Sequence, residues 1–137
     1  MDARRLKQIP LFGDLSRRSL ERIAAWTDEV DVPAGRHLID QGAFPHEFMV
    51  IESGTAEVLV DGNKVADLGP GDFFGEMALI EAHRRTATVT ATANLRVIVM
   101  HDRDFRAMED EMPEVTARIR SVMDARRKKD ESRADGS

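Results

Sequence analysis

From Pro33 to Gly71 the chain is cut at short intervals by turn-forming groups: Pro33-Ala34-Gly35, Gln41-Gly42, Ser53-Gly54, Asp61-Gly62-Asn63 and Gly69-Pro70-Gly71. Only short apolar runs fit between them, which is the texture of consecutive β-strands. A parallel α/β sheet needs helices between its strands, and this stretch has no room for them. Asp61-Gly62, between Ala56-Glu57-Val58-Leu59-Val60 and Lys64-Val65-Ala66-Asp67-Leu68, predicts a hairpin, because Asp-Gly accepts the positive φ angles of a tight primed turn. A second β block is expected from about Thr86 to His101, where Thr86-Ala87-Thr88-Val89-Thr90-Ala91 alternates with period two. These strands predict a sandwich, jelly roll or barrel.

Helical patterns flank the β region. Between Leu6 and Asp28, Leu15, Leu20, Ile23 and Ala24 recur at helical spacing, Ser16 suits an N-cap, and Pro10 and Gly13 separate a short first piece from a longer helix. After His101, Asp102 or Asp104 can cap a helix carrying Phe105, Met108 and Met112. Pro113 then opens another, with Val115, Ile119, Val122 and Met123 as its apolar stripe. A chain of 137 residues fits one domain. It is expected over 1–125, with helices over 1–28, a β-roll over 29–101 and C-terminal helices over 102–128. Residues 129–137 lose all apolar pattern and are expected to be a disordered tail.

Composition removes several classes of function. There is no cysteine, hence no disulfide framework, thiol nucleophile or thiolate metal site. The net charge of -5 opposes a broad surface for duplex nucleic acid, and no residues follow the last helix for a helix-turn-helix, so no DNA-binding domain is expected. No apolar run approaches the roughly 18 residues of a transmembrane helix, and the N-terminus lacks an export signal, which leaves a cytoplasmic location as the expectation.

The segment between the β blocks, Gly71 to Thr86, is too irregular for a strand and too long for a simple turn, as binding loops often are. Gly75 permits close approach of a ligand, and Glu76 to Ile80 can form a helical turn with free amides. Arg85 can hold two phosphate oxygens, and Thr86 adds a donor. Glu76 only accepts, so it wants a donor such as a sugar hydroxyl. An acceptor for a hydroxyl beside donors for a phosphate describes a ribose phosphate.

The order Phe74-Gly75-Glu76-Met77-Ala78-Leu79-Ile80, then Arg85-Thr86-Ala87-Thr88-Val89, resembles the phosphate-binding cassette of the cyclic nucleotide-binding domain family. The likeness extends over about Leu11 to Met123 through Leu11-Phe12, Gly35, Gln41-Gly42, Gly54 and Gly69-Pro70-Gly71-Asp72. It implies a mainly β fold: an eight-stranded antiparallel β-roll, of double-stranded β-helix or jelly-roll type, with N-terminal and C-terminal helices. It further implies a non-enzymatic sensor of cAMP or cGMP without a separate cofactor. Arg85, Thr86, Ala87 and Ala78 would hold the phosphate, Glu76 and Gly75 the ribose, and Phe74, Met77 and Leu79 would line the pocket. Ile119 and Val122, on a last helix that closes over the base, are the candidate base contacts. An unknown effector protein is the implied partner.

Two positions depart from the family pattern. Arg84 stands where proline is common before the phosphate arginine, and Ala43-Phe44-Pro45-His46 stands where an acidic residue is common. Thr86 accompanies cGMP recognition in some relatives and occurs with cAMP in others, so the base stays open. The stripe through Ile119 reads as helix packed on the β core and also as a lid over the base or a homodimer seam, which can hold in different states. The run Arg126 to Lys129 reads most simply as favourable charge near a helix C-terminus. Two other readings stand beside the sensor: a degenerate domain that keeps the fold for protein interaction, and a cupin-type metalloenzyme. His37, His46, His83 and His101 are too widely spaced for the cupin motif, so no metal site is expected. No catalytic set can be assembled from the sequence.

Overall fold

In the computed structural model, which describes residues 1–135 with side chains through Lys128, the chain opens with two short helices, α1 (Ala3–Leu6) and α2 (Arg17–Ala25). Ser16 caps α2 by accepting the Ser19 amide at 3.1 Å, and Leu20 and Ile23 form its buried face. The helix ends earlier than the apolar pattern suggests. Thr27 turns its hydroxyl onto the Ile23 carbonyl at 3.0 Å and starts the first strand.

Eight strands follow: β1 (Thr27–Val32), β2 (His37–Ile39), β3 (Glu47–Ser53), β4 (Ala56–Val60), β5 (Asn63–Leu68), β6 (Phe73–Phe74), β7 (Thr88–Ala91) and β8 (Leu95–His101). They form two four-stranded antiparallel sheets, ordered β1-β8-β3-β6 and β2-β7-β4-β5. The β4–β5 hairpin turns on Asp61 and Gly62, both at positive φ, as the Asp-Gly pair predicts. The expected second β block is two strands in different sheets. Thr92 and Ala93 leave the β7 line, their amides donating to the Thr55 carbonyl, and the chain crosses over to β8. Thr86 and Ala87 precede β7 and are not in a strand.

The alternation of side chains on β3 and β8 builds two apolar cores. Met49, Ile51, Val97 and Val99 point between the sheets toward Leu68 and Val89, whereas Phe48, Val50, Ile98 and Met100 point to the helices. Burial on both faces accounts for the unbroken apolar run Val97-Ile98-Val99-Met100. Outside that sheet lie α1, α2, α4 (Asp102–Glu111) and α5 (Pro113–Asp135), with Phe48, Phe73 and Phe105 stacked in tilted pairs. His101, not an aspartate, is the N-cap of α4; Asp102 and Asp104 fall in its first turn, where their charge suits the helix dipole. Pro113 opens α5 as expected. Val115 and Ile119 of its stripe are buried in the helix-side core, and Met123 is buried as well. The backbone of α5 is helical through Asp135; the side chains of the tail expected over 129–137, and residues 136–137, lie outside the described residues. No helix among the described residues is long and apolar enough to cross a membrane.

Candidate functional site

Between β6 and β7 the chain leaves the sheets. Gly75, at φ 91°, turns it into α3 (Glu76–Glu81), Ala82 ends that helix at φ 55°, and an extended segment returns it to β7. This corner, the β2-β7-β4-β5 sheet and α5 enclose an open cavity of about 650 Å³.

Arg85 is held beneath the corner. It is 6% exposed, and its Nη1 and Nη2 each donate at 2.7 Å, to the carbonyls of Gly75 and Glu47 respectively. A Cβ on residue 75 would lie 2.9 Å from Arg85 Nη1 and 2.9 Å from the Glu47 oxygen. Here, therefore, glycine makes room for the arginine as well as supplying the positive φ. The preceding loop fixes the backbone: the Arg85 amide donates to Ala43 at 2.9 Å, and the Gly42 amide to Arg85 at 2.8 Å. Both Arg85 hydrogen bonds go to neutral carbonyls, and among the described residues no carboxylate lies within salt-bridge distance, so its positive charge has no direct counter-ion. Burial lowers its pKa, against the opposing pull of the nearby Glu47 and Glu76 charges.

Glu76 is 1% exposed at the start of α3. Its Oε1 accepts from Arg126 Nη1 at 2.8 Å, while its Oε2 is buried with no hydrogen-bond partner. Burial raises the Glu76 pKa, partly offset by Arg126 and Arg85. Arg126 comes from α5. It also donates to the Phe73 carbonyl at 2.6 Å and lies 5.1 Å over the Phe73 ring. One turn further along α3, Glu81 pairs with Arg127 at 2.5 Å, so α5 is fastened to α3 at two points.

Most of the residues expected at the site meet in this cavity: Phe74, Gly75, Glu76, Met77, Ala78, Arg85, Thr86, Ala87 and Val122 line it. Two do not. Leu79 points the other way, into the helix-side core, because consecutive residues of α3 face different sides. Ile119 is wholly buried in that same core, packed on the domain side of α5, and does not reach the cavity. The stripe puts Val122, 37% exposed, on the cavity rim instead.

Sequence reasoning also missed partners of the site. Arg126 sits in a basic run whose pairing with a glutamate 50 positions away carries no local signal. The apolar wall, from Ile39, Val58, Val60, Val65 and Val89, looks like ordinary strand core until the sheet curvature is known. No group of three or more metal-binding side chains occurs among the described residues.

The family model for the cyclic nucleotide-binding domain matches residues 29–111. The chain is 33% identical over 119 residues to a cyclic nucleotide-gated potassium channel of Rhizobium etli, an alignment covering 87% of this chain and 33% of the channel. It is 38% identical over 106 residues to the cAMP-dependent protein kinase regulatory subunit of Yarrowia lipolytica, covering 75% of this chain and 28% of the subunit. The chain thus spans a third or less of the length of these relatives. In fold it is similar to the catabolite activator protein of Thermus thermophilus, with a TM-score of 0.79 at 23% identity, covering 92% of this chain and 62% of that one.

Proposed function

The chain belongs to the cyclic nucleotide-binding domain family, whose members are regulatory, non-enzymatic modules, and we propose that its cavity binds a cyclic nucleotide. One observation carries the reading: a buried carboxylate oxygen without a donor, Glu76 Oε2, and a buried cation without a counter-ion, Arg85, line the same cavity. An unpartnered buried acceptor is costly, by about 1–3 kcal/mol, so the site is built for a group that donates to it. A ribose 2′-hydroxyl supplies that donor, and the cyclic phosphate supplies the anion for Arg85 and for amides at Ala78, Thr86 and Ala87. The apolar wall accepts the faces of the base, with Val122 at its rim. The volume lies in the range of small-molecule sites, roughly 300–1,000 Å³.

The ligand is cAMP or cGMP. The relatives include the regulatory subunit of a cAMP-dependent protein kinase, which favours cAMP; Thr86 at the cavity is the residue that would serve a guanine amino group.

Glu76 also supplies the output. One of its oxygens holds Arg126 of α5 and the other awaits the ribose, so the carboxylate joins ligand and helix. Ligand binding at Glu76 is passed from α3 to α5 through Arg126 and Arg127, and α5 acts on an effector protein.

Calorimetric titration with cAMP, cGMP and 2′-deoxy-cAMP tests the reading. Saturable binding of cAMP or cGMP is expected, with the deoxy analogue weaker than cAMP by about tenfold, the value of one hydrogen bond to a charged acceptor. Absence of binding by both natural nucleotides overturns it.

A further inference from the structure

Arg84 and Phe44 meet beside α3, outside the nucleotide cavity. The Arg84 guanidinium lies 4.4 Å over the Phe44 ring, and the two side chains line a second cavity of about 340 Å³ with Arg106 of α4. Its floor is Ala78, Leu79 and Ala82 of α3.

Phe44 is 63% exposed, a large apolar side chain presented to water. Its exposure is not that of a loose loop. The Gly42 and Arg85 amides stitch the loop to the cassette on one side, and the Asp102 amide donates to His46 at 2.8 Å on the other. Nor are the arginines paired with acids: Arg84 Nη1 donates to the Gly42 carbonyl at 3.5 Å, and among the described residues no carboxylate lies within 4 Å of Arg84 or Arg106, although the chain carries 25 acidic residues against 20 basic ones. Asp102 lines the same cavity, but its carboxylate accepts the Arg103 amide at 2.8 Å. Pre-positioned aromatic and arginine side chains around a groove are the side chains that dominate protein interfaces.

We propose that this groove is a docking surface for an acidic peptide segment of a partner protein, independent of the nucleotide reading. One large apolar side chain of the partner enters the cavity against Phe44, and a neighbouring carboxylate pairs with Arg84 and Arg106. Charge decides the occupant: the groove presents two arginines with no carboxylate partner against the single Asp102 carboxylate, so an acidic segment is favoured over a basic one. Because Ala78 lines both cavities, a docked segment rests on the back of the helix that carries Glu76.

The test is selection of a phage-displayed random dodecapeptide library on the whole chain, followed by titration of the enriched peptides against wild type, F44A, R106E and R36E. Arg36 is exposed and lines neither cavity, so R36E controls for charge alone. Thermal melting establishes that each variant is folded. Enriched peptides are expected to place Asp or Glu beside a large apolar residue, to bind R36E like wild type, and to bind F44A and R106E at least tenfold more weakly. Their amide-shift footprint should fall on residues 44–45, 78–84 and 102–106. No enrichment, or peptides that bind F44A and R106E as tightly as wild type, overturns the proposal.

Discussion

Arg126 Nη1 and Glu76 Oε1 lie 2.8 Å apart, joining the last helix to the first residue of α3. The pair is unequal: Glu76 is buried in the domain, whereas Arg126 remains partly in solvent. Glu76 therefore depends on its partner more than Arg126 does.

Replacing Arg126 by alanine removes the side chain that donates to the buried Glu76 carboxylate. The expected loss is about 1–3 kcal/mol of unfolding free energy, read by urea denaturation. If Glu76 links ligand to helix, nucleotide should also slow hydrogen exchange of α5 amides around residue 126 in wild type and fail to do so in R126A. Equal protection in both proteins would remove Arg126 from the coupling.

Gly75→Ala tests the seat of Arg85. The added Cβ meets the guanidinium and the Glu47 carbonyl at 2.9 Å, and φ 91° is unfavourable for alanine. Backbone strain of about 1–3 kcal/mol is expected, together with a loss of nucleotide affinity of about tenfold or more as Arg85 is displaced. Calorimetry on the folded variant at low temperature checks both the affinity and, by comparison with Arg85→Ala, its origin.

Ile119 and Val122 lie on one helix with opposite duties. Ile119→Ala opens a hole in the helix-side core and should cost about 2–5 kcal/mol of stability. Val122→Ala, on the cavity rim, should change stability by less than about 1 kcal/mol while weakening nucleotide binding. A pair of melting curves with matched titrations separates the two effects.

Legibility in the sequence followed the range of the interaction concerned. Turns such as Asp61-Gly62 and caps such as Ser16 announce themselves because their chemistry is local. Gly75, Glu76 and Arg85 were readable as a group because the family pattern fixes their spacing. Ile119 was not distinguishable from Val122: both belong to one apolar stripe, and only the packing of α5 on Phe105 and Met108 decides which turns inward. Arg126 was hidden for a related reason. Its partner is fixed by where α5 returns to the sheet, which no residue near Arg126 encodes. The split of Thr86–His101 into two strands of different sheets was likewise set at a distance, by the Thr55 carbonyl.

The buried Glu76 carboxyl gives a pH dependence of definite sign. Its folded pKa is raised above the ordinary value near 4.5, so between that value and the folded pKa the folded state keeps a proton that the unfolded state has lost. Its stabilising contribution is complete below that ordinary value and is lost as pH rises through the folded pKa. Relative to Glu76→Gln, which does not titrate, wild type should lose stability as pH rises from about 4.5 and then level off. Urea midpoints of the two proteins across that range check the slope; a wild type that gains stability relative to Glu76→Gln as pH rises would reverse the assignment.

The most direct test of the account is calorimetric titration of wild type and Arg85→Ala with cAMP and cGMP. A buried cation that pairs with the phosphate predicts saturable binding to wild type and a loss of about a hundredfold or more in the variant. Glu76→Gln should lose less, because a neutral acceptor still takes the ribose hydroxyl. Arg85→Ala that folds and binds as tightly as wild type, or wild type that binds neither nucleotide, would contradict the assignment of this cavity.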